Sequence, residues 1–356
     1  SEKSMLKKKK NLYKPIILKK GSKLNFLLKN KEISFTDAFS YQLKELFFIE
    51  NKQYIGQEKS VVYKTIDFKN YCKKRKNDFT YVYFSWSNSL IKTFPKNEYL
   101  ELKTNRNRDL ITEEEQKILR NKKIGVFGMS VGSNIAFVLT QAGISNDITI
   151  ADFDELDTTN LNRILAGIHQ IGMSKVIIAA RRIYEDNPFA KVNILPKGIS
   201  LNTLEKLLKQ KKLDLIIEEI DDIKMKINTR FLAIKYKIPV VMITDNGDGV
   251  VLHIERYDLG YKKIFNKSTS YWKKMMNIDV TKEIAGKIIM NDIVGGVEKI
   301  DPKMLKSVSR VMKGELVSWS QLGSAAILGG VVTTVYVKKI FLKEDNRKYI
   351  VKNIFV

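Results

Sequence analysis

The stretch 123–163, KIGVFGMSVGSNIAFVLTQAGISNDITIADFDELDTTNLNR, constrains this chain more than any other. Its apolar run at 124–127 predicts a strand, and Gly128, Ser130 and Gly132 predict a tight turn after it. Residues 133–142 read as a helix, and 148–151 as a second strand that ends in the acids Asp152 and Asp154. Strand, glycine turn, helix and strand closed by an acid is the layout of a nucleotide-binding βαβ unit. Each part has its own physical reason. Small residues let the backbone approach a phosphate, a helix N-terminus offers oriented N–H groups, and an acid accepts hydrogen bonds from ribose hydroxyls. Asp152 stands 20 residues after Gly132, the spacing such a unit needs. The plainer alternative is a structural βαβ turn whose glycines only permit close packing.

Downstream the same rhythm continues. A helix over 175–186 leads to a strand over 192–195, a helix over 201–209 to a strand over 213–218, and a helix over 224–236 to a strand over 240–243. One more strand is expected over 249–254. This alternation predicts an α/β fold, doubly wound around a mostly parallel sheet with helices on both faces. Ligands of such sheets bind at the carboxyl ends of the strands, where Gly128, Asp152 and Asp221 fall.

The residues beyond the acid narrow the chemistry. A dinucleotide oxidoreductase has no use for the continuation TTNLNR, nor for Lys175, twelve residues after Arg163, in IGMSK. The ordered set GxSxGS at 128–133, ADFD, NLNR, GMSK, NP at 187–188 and EEIDD resembles the superfamily of ThiF, MoeB and the ubiquitin-activating enzymes. The flanking TNRNRDLITEEEQKILRN and IPVVMITDNGDGVVLHIERYD are similar to a bacterial branch that carries a long N-terminal region. The resemblance implies a Rossmann-like fold and a homodimer that uses ATP and Mg²⁺ to adenylate a carboxyl group. It further implies that Asn160 and Arg163 contact ATP, that Lys175 contacts its phosphates, and that Asp152, with Asp154 beside it, takes the ribose. Asp221 would hold Mg²⁺, although Glu218, Glu219 and Asp222 crowd it. Arg106, or Arg108 in its place, would insert into the partner subunit's ATP site. Bringing a carboxylate up to an α-phosphate needs such cations, because two anions must meet. The plainer readings are surface cations for Arg163 and Lys175, a helix cap for Asp221 and a solvated basic linker for Arg106.

Ahead of this region the chain reads as a separate recognition domain over 1–105, with the adenylation domain over 106–356. Thr36 or Asp37 is a candidate cap for a helix that puts Phe39, Leu43, Leu46 and Phe47 on one face, and 81–86 reads as a strand. Thr112 followed by Glu113, Glu114 and Glu115 reads as a further helix start. Residues 1–123 carry 29 Lys and Arg against 14 Asp and Glu, a net +15 of the chain's +24. Such an excess points to an anionic partner, here an acidic peptide or small protein, or else to a lysine-rich solvated surface. The runs KKKK at 7–10 and KKRK at 73–76 lack the interleaved aromatics of a nucleic-acid platform, so nucleic acid is not favoured.

Cys72 is the one cysteine, which excludes an internal disulfide framework and leaves the paired CxxC zinc ligands of some relatives without a counterpart. A cytoplasmic setting, without zinc, is therefore expected. Cys72 lies between basic residues that would lower its pKa, yet it precedes the nucleotide fold, whereas thioester-forming relatives carry their cysteine in the crossover segment, here 258–315. No catalytic or metal role is expected for Cys72, His169 or His253. Residues 316–337 carry no charge and would be long enough to span a membrane. Their Ser, Thr and Gln content, and the small residues Gly323, Ala325, Ala326, Gly329 and Gly330, favour a packing helix over 316–340 instead. The expected activity is acyl adenylation of a peptide or small protein without a thioester, as in the family's peptide-maturation members such as the pantocin A maturation enzyme. A sulfur-carrier adenylyltransferase, an NAD-dependent oxidoreductase and a non-catalytic nucleotide-binding module are the alternatives.

Overall fold

The computed structural model describes residues 12–19, 21–278 and 281–355, so the lysine run at 7–10 lies outside the described residues. The chain divides into two compact units, the first ending at Glu113 and the second starting at Glu114.

The first unit is built on a four-stranded sheet of order β1-β3-β4-β2. Its strands are β1 (Ile16–Leu18), β2 (Ser34–Asp37), β3 (Thr80–Phe84) and β4 (Ser89–Thr93). The β1–β3 and β3–β4 pairs are antiparallel, and β2 lies parallel to β4 at the edge. Helix α1 (Ser22–Lys29) sets Leu24 and Leu27 against Leu18 and Leu90. Helix α2 (Ala38–Glu50) is capped by Asp37, whose carboxylate accepts the Ser40 N–H at 3.1 Å. The apolar face read from the sequence is the buried one: Phe39, Leu43 and Leu46 pack on Phe94, and Phe47 on Val62 and Phe68. Val62 and Phe68 belong to α3 (Lys59–Val62) and α4 (Ile66–Arg75), and α5 (Lys96–Lys103) completes the unit. The small elements expected before the nucleotide fold are thus one layered sheet; the strand expected over 81–86 is β3, which ends at Phe84 where the chain turns into β4, and β1, β2 and β4 were left unread by the sequence.

Helix α6 (Glu113–Arg120) opens the second unit and leads into β5 (Lys123–Phe127). There follow α7 (Val131–Gln141), β6 (Asp147–Ala151), α8 (Lys175–Asp186), β7 (Lys191–Leu195), α9 (Leu201–Lys209) and β8 (Leu215–Glu218). Helix α10 (Ile223–Tyr236), β9 (Val240–Asn246) and β10 (Gly249–Glu255) come next. The seven-stranded sheet runs β11-β10-β9-β8-β5-β6-β7, with β11 at Tyr349–Ile354. Strands β5 to β9 are parallel, as expected from the helix–strand alternation. The last two are antiparallel, because β9 turns directly into β10 at Gly247 and β11 returns alongside it. Strand order reverses beside β5, between β6 and β8, and that is where such sheets open a crevice.

The segment 258–315, irregular by sequence, holds helices α11 (Thr269–Met276), α12 (Lys282–Ile288) and α13 (Pro302–Met312). Trp272, Ile288 and Ile293 bury there with Ile223, Ile227 and Met242. The C-terminal packing helix is α14 (Gly323–Phe341), so the expected 316–340 is corrected: 316–322 is not helical. By length and composition α14 alone among the described helices suits a membrane span, yet 61% of its apolar window is buried. It packs on α7, β9 and β10, with Gly329 against Val131 and Ile243.

Candidate active site

The turn after β5 is held in place by backbone. The Gly128 N–H donates to the Ala151 carbonyl, and the Glu219 N–H to the Phe127 carbonyl, both at 2.8 Å. Gly128 has φ +96°, and a Cβ there would stand 2.3 Å from the Glu219 carbonyl oxygen, so only glycine is accommodated. Helix α7 starts at Val131, two residues earlier than expected, which puts Gly132 in its first turn under Val126. Asp152, at the end of β6, locks the turn: one carboxylate oxygen accepts the Met129 N–H at 2.6 Å and the other accepts the Asp154 N–H at 2.7 Å.

Arg163 reaches this turn from the NLNR loop. Its Nε donates to Ser130 Oγ at 3.1 Å, and its Nη1 donates to the Thr159 carbonyl and Asn162 Oδ1. The loop is clamped on two sides, by Asn134 on the Arg163 carbonyl at 2.9 Å and by Asn162 on the Gln321 carbonyl at 2.8 Å. Asn160 is buried and its Oδ1 accepts the Asp157 N–H, which shapes the loop. Lys175, only 8% exposed, opens α8; its Nζ sits 2.8 Å from Asp154 Oδ2 and its backbone N–H donates to the Asp154 carbonyl. Loss of hydration lowers the Arg163 guanidinium pKa, an effect opposed by the charges of Asp245 and Asp221.

Asp221 lies three residues beyond the end of β8 and is open to solvent. Its cap alternative is settled by its neighbour: Asp222 caps α10, accepting the Met225 N–H at 2.6 Å. Partial loss of hydration in the crevice raises the Asp221 carboxyl, Lys226 opposes this, and Glu218, Asp152 and Asp154 reinforce it. Those couplings place Asp221 within electrostatic reach of the β6 acids. Glu219 turns the other way, with Oε1 accepting the Ile243 N–H at 2.9 Å, and burial raises its carboxyl well above the ordinary range.

Ser130 with Arg163, the Gly128 turn with Asp152, and Asp154 with Lys175 are thus joined at the carboxyl ends of the strands, Asp221 follows the end of β8, and Gly132 and Asn160 are buried beneath the turn and within the loop. Arg106 belongs to the first unit, exposed on the one-turn helix Asn105–Asn107, and Arg108 lies 3.6 Å from Glu101. Cys72 is half-buried beside Tyr71 and Phe79, and burial pushes its thiol up against the opposing charge of Lys44, so the lowering expected from its basic sequence neighbours is not found. His253 is buried against Phe265, its pKa pushed down to about 3 mainly by burial. Two residues were not singled out by sequence: Asp245, within electrostatic reach of Arg163, and Lys226, buried behind Asp221 with its Nζ on the Glu218 carboxylate. Asp245 sits near the end of β9, 7% exposed, with Oδ1 lacking a hydrogen-bond partner among the described residues. The TDNGDG turn was the available signal for Asp245, and the i,i+4 relation to Asp222 for Lys226.

The sequence model of the ThiF family matches residues 103–300. An uncharacterised Mycobacterium tuberculosis (strain CDC 1551 / Oshkosh) protein, MT1398, is 35% identical over 179 residues, 50% of this chain and 24% of that protein. The tRNA threonylcarbamoyladenosine dehydratase of Bacillus subtilis (strain 168) is 33% identical over 138 residues, 38% of this chain and 54% of that protein. The chain thus spans about a quarter to about half of the length of these curated relatives. Among solved structures, Escherichia coli tRNA N6-threonylcarbamoyladenosine dehydratase in complex with AMP aligns at a TM-score of 0.50 and 19% identity, covering 69% of this chain and 97% of that one. PaaA aligns at 0.50 and 15%, covering 87% and 90%. Both structural likenesses are likenesses of fold. With more than half of its length matched by the family's sequence model, the chain belongs to the ThiF family.

Proposed function

We propose that this protein uses Mg²⁺ and ATP to adenylate a carboxyl group on a peptide or small protein, releasing pyrophosphate and forming no enzyme thioester. What supports this reading is that Arg163 bonds Ser130 in the glycine turn and Lys175 bonds Asp154, whose N–H shares the Asp152 carboxylate with that turn, while Asp221 follows the neighbouring strand β8. Arg163 and Lys175 supply the positive charge that a carboxylate needs to approach an α-phosphate. The residues suit magnesium as well. Mg²⁺ is commonly held by one or two carboxylates together with substrate phosphates, and Asp221 is a solvent-open carboxylate in that position. Among the described residues no group of three or more His, Cys, Asp or Glu side chains is arranged to hold a metal without such help.

Three finer assignments go with it. The first unit, with its basic excess and its exposed edge strand β2, captures an acidic peptide by edge pairing. The protein acts as a homodimer in which Arg106 completes the partner's site, and the exposed apolar stripe Ile327, Val331 and Val335 on α14 supports a surface shared with a second copy. Ribosomal peptide maturation in the cytoplasm is the setting. A second reading, modification of a tRNA, is favoured by the likeness to the Bacillus subtilis dehydratase and by the +24 charge.

The test is ATP–pyrophosphate exchange stimulated by short acidic peptides encoded in neighbouring genes, with tRNA in a parallel arm. Asp221→Asn should abolish the exchange while the protein stays folded, a loss on the order of 3 kcal/mol or more in the barrier. Preferential binding of NAD(H) over ATP would sink the adenylation reading, and stimulation by tRNA alone would move the substrate class.

A further inference from the structure

We infer that Lys226 and Arg230 are positioning residues for Asp221, acting through the Glu218 carboxylate. The inference rests on the proposal above that Asp221 holds magnesium. Strand β8 ends at Glu218, and the chain turns through Glu219 and Ile220 before it presents Asp221. The Glu218 carboxylate folds back on this turn: its Oε1 accepts the Ile220 N–H at 2.7 Å, one residue ahead of Asp221. Lys226 Nζ donates to both Glu218 oxygens, at 3.0 and 3.1 Å, and Arg230 Nη1 donates to Oε2 at 2.6 Å. Lys226 and Arg230 are four residues apart on α10, so both project from one face of that helix. Arg230 also donates to Glu255 at 2.5 Å, and the other Glu255 oxygen accepts the Phe265 N–H at 2.9 Å. The turn is closed from its far side by Asp222, which caps α10.

Stability alone is a poor explanation for this arrangement. Glu218, Arg230 and Glu255 have no exposed surface, and burying charges costs several kcal/mol per ion before pairing returns any of it. An apolar cluster would hold β8 on α10 equally well. What the ionic cluster does in addition is fix the rotation of Glu218, and with it the Ile220 N–H and the direction in which Asp221 leaves the strand. Mg²⁺ demands near-ideal octahedral geometry, so a displaced carboxylate loses affinity. Residues behind metal ligands typically contribute 10–100-fold in metal affinity.

The experiment measures binding of a fluorescent ATP analogue to the full chain, first in EDTA and then as Mg²⁺ is titrated in. For Lys226→Met we expect the half-saturating Mg²⁺ concentration to rise about tenfold or more, with the EDTA affinity changed less than about twofold. Lys226→Arg should bring the midpoint back to within about threefold of the wild type. A Lys226→Met protein that only melts earlier, with its magnesium midpoint unmoved, overturns the inference. Asp221→Asn separates the two levels. If it leaves a magnesium requirement intact, or if the wild type shows none, the metal reading itself fails and takes the inference with it. Should Lys226→Met not fold, Arg230→Lys serves, since its single ammonium keeps the charge but loses the fork joining Glu218 to Glu255. Hydrogen exchange at the Ile220 amide should then quicken about tenfold, and unchanged exchange overturns the inference.

Discussion

At the scale of single residues, several acids stand within electrostatic reach of one another at the carboxyl ends of the strands. Asp245 shows the consequence. Burial raises its carboxyl to about 6 from an ordinary 3.8, with Arg163 and Gln321 opposing the rise. The folded state therefore binds a proton more tightly than the unfolded one, and stability falls as pH climbs through 4 to 6 and stays lower above that. A tenfold change in proton affinity is worth about 1.4 kcal/mol, so Asp245→Asn should stabilise the ligand-free protein by about 1–2 kcal/mol at pH 7.5, after discounting for relaxation, and hardly at all at pH 4. Thermal unfolding at the two pH values checks this, and equal changes at both would show that burial does not govern the site. Arg163 keeps Ser130, Thr159 and Asn162 as partners in that variant. Cys72 makes the opposite point, for its thiol is half-buried and pushed up, away from reactivity. Cys72→Ser should retain full turnover in the exchange assay; lost turnover at unchanged stability would bring back a covalent route.

At the scale of elements, the site depends on how closely α14 approaches α7. Gly330 has the Asn134 backbone 3.2 Å from where a Cβ would stand, and Asn134 in turn holds the Arg163 carbonyl. A larger side chain there pushes on the helix that carries the glycine turn and on the loop that carries the arginine. Gly330→Leu should cost about 1–3 kcal/mol by overpacking. It should also weaken ATP binding more than an equally destabilising change in α9, a helix that lines no part of the crevice. A stability loss with ATP affinity intact would mean that α14 supports the sheet and not the site.

At the scale of the whole molecule, the question is what the first unit adds. Its excess of positive charge belongs to a sheet with its own core, apart in sequence from the phosphate-binding elements. A chain truncated to begin at Thr104 should still bind ATP and should lose affinity for the acidic peptide. Peptide affinity of the full chain should fall markedly from low to physiological salt, because exposed charges are screened beyond about 8–10 Å. Duplex DNA as a competitor separates general charge attraction from peptide recognition. If the truncated chain binds and turns over peptide as well as the full one, the basic excess is a solvated surface. Assembly is checked by mixing: Arg106→Ala and Asp221→Asn, each inactive alone, should regain partial activity in mixed dimers, where one of the two sites keeps both residues. A monomer by light scattering removes the shared-site proposal.

The βαβ unit from Lys123 to Asp154, the separate helix caps at Asp37 and Asp222, and the run of parallel strands arise from local order, because apolar period, glycine spacing and capping chemistry operate over a few residues. The motifs that carry the candidate site residues, from Gly128 to Asp221, are local in the same sense. Pairing across long separations was not. Strand β11 joins β10 about a hundred residues after it, and nothing local in 349–354 announces that edge. Arg230 meets Glu218 and Glu255 over 12 and 25 residues, and Gln321 reaches Asp245 over 76. The uncharged run 316–337 reads as a helix throughout, yet its first residues are irregular and bend, and Gln321 meets the NLNR loop through the Asn162–Gln321 hydrogen bond. Whether a buried acid is paired, capped or left with an open oxygen depends on which distant segment the sheet brings beside it, and that is a property of the tertiary fold alone.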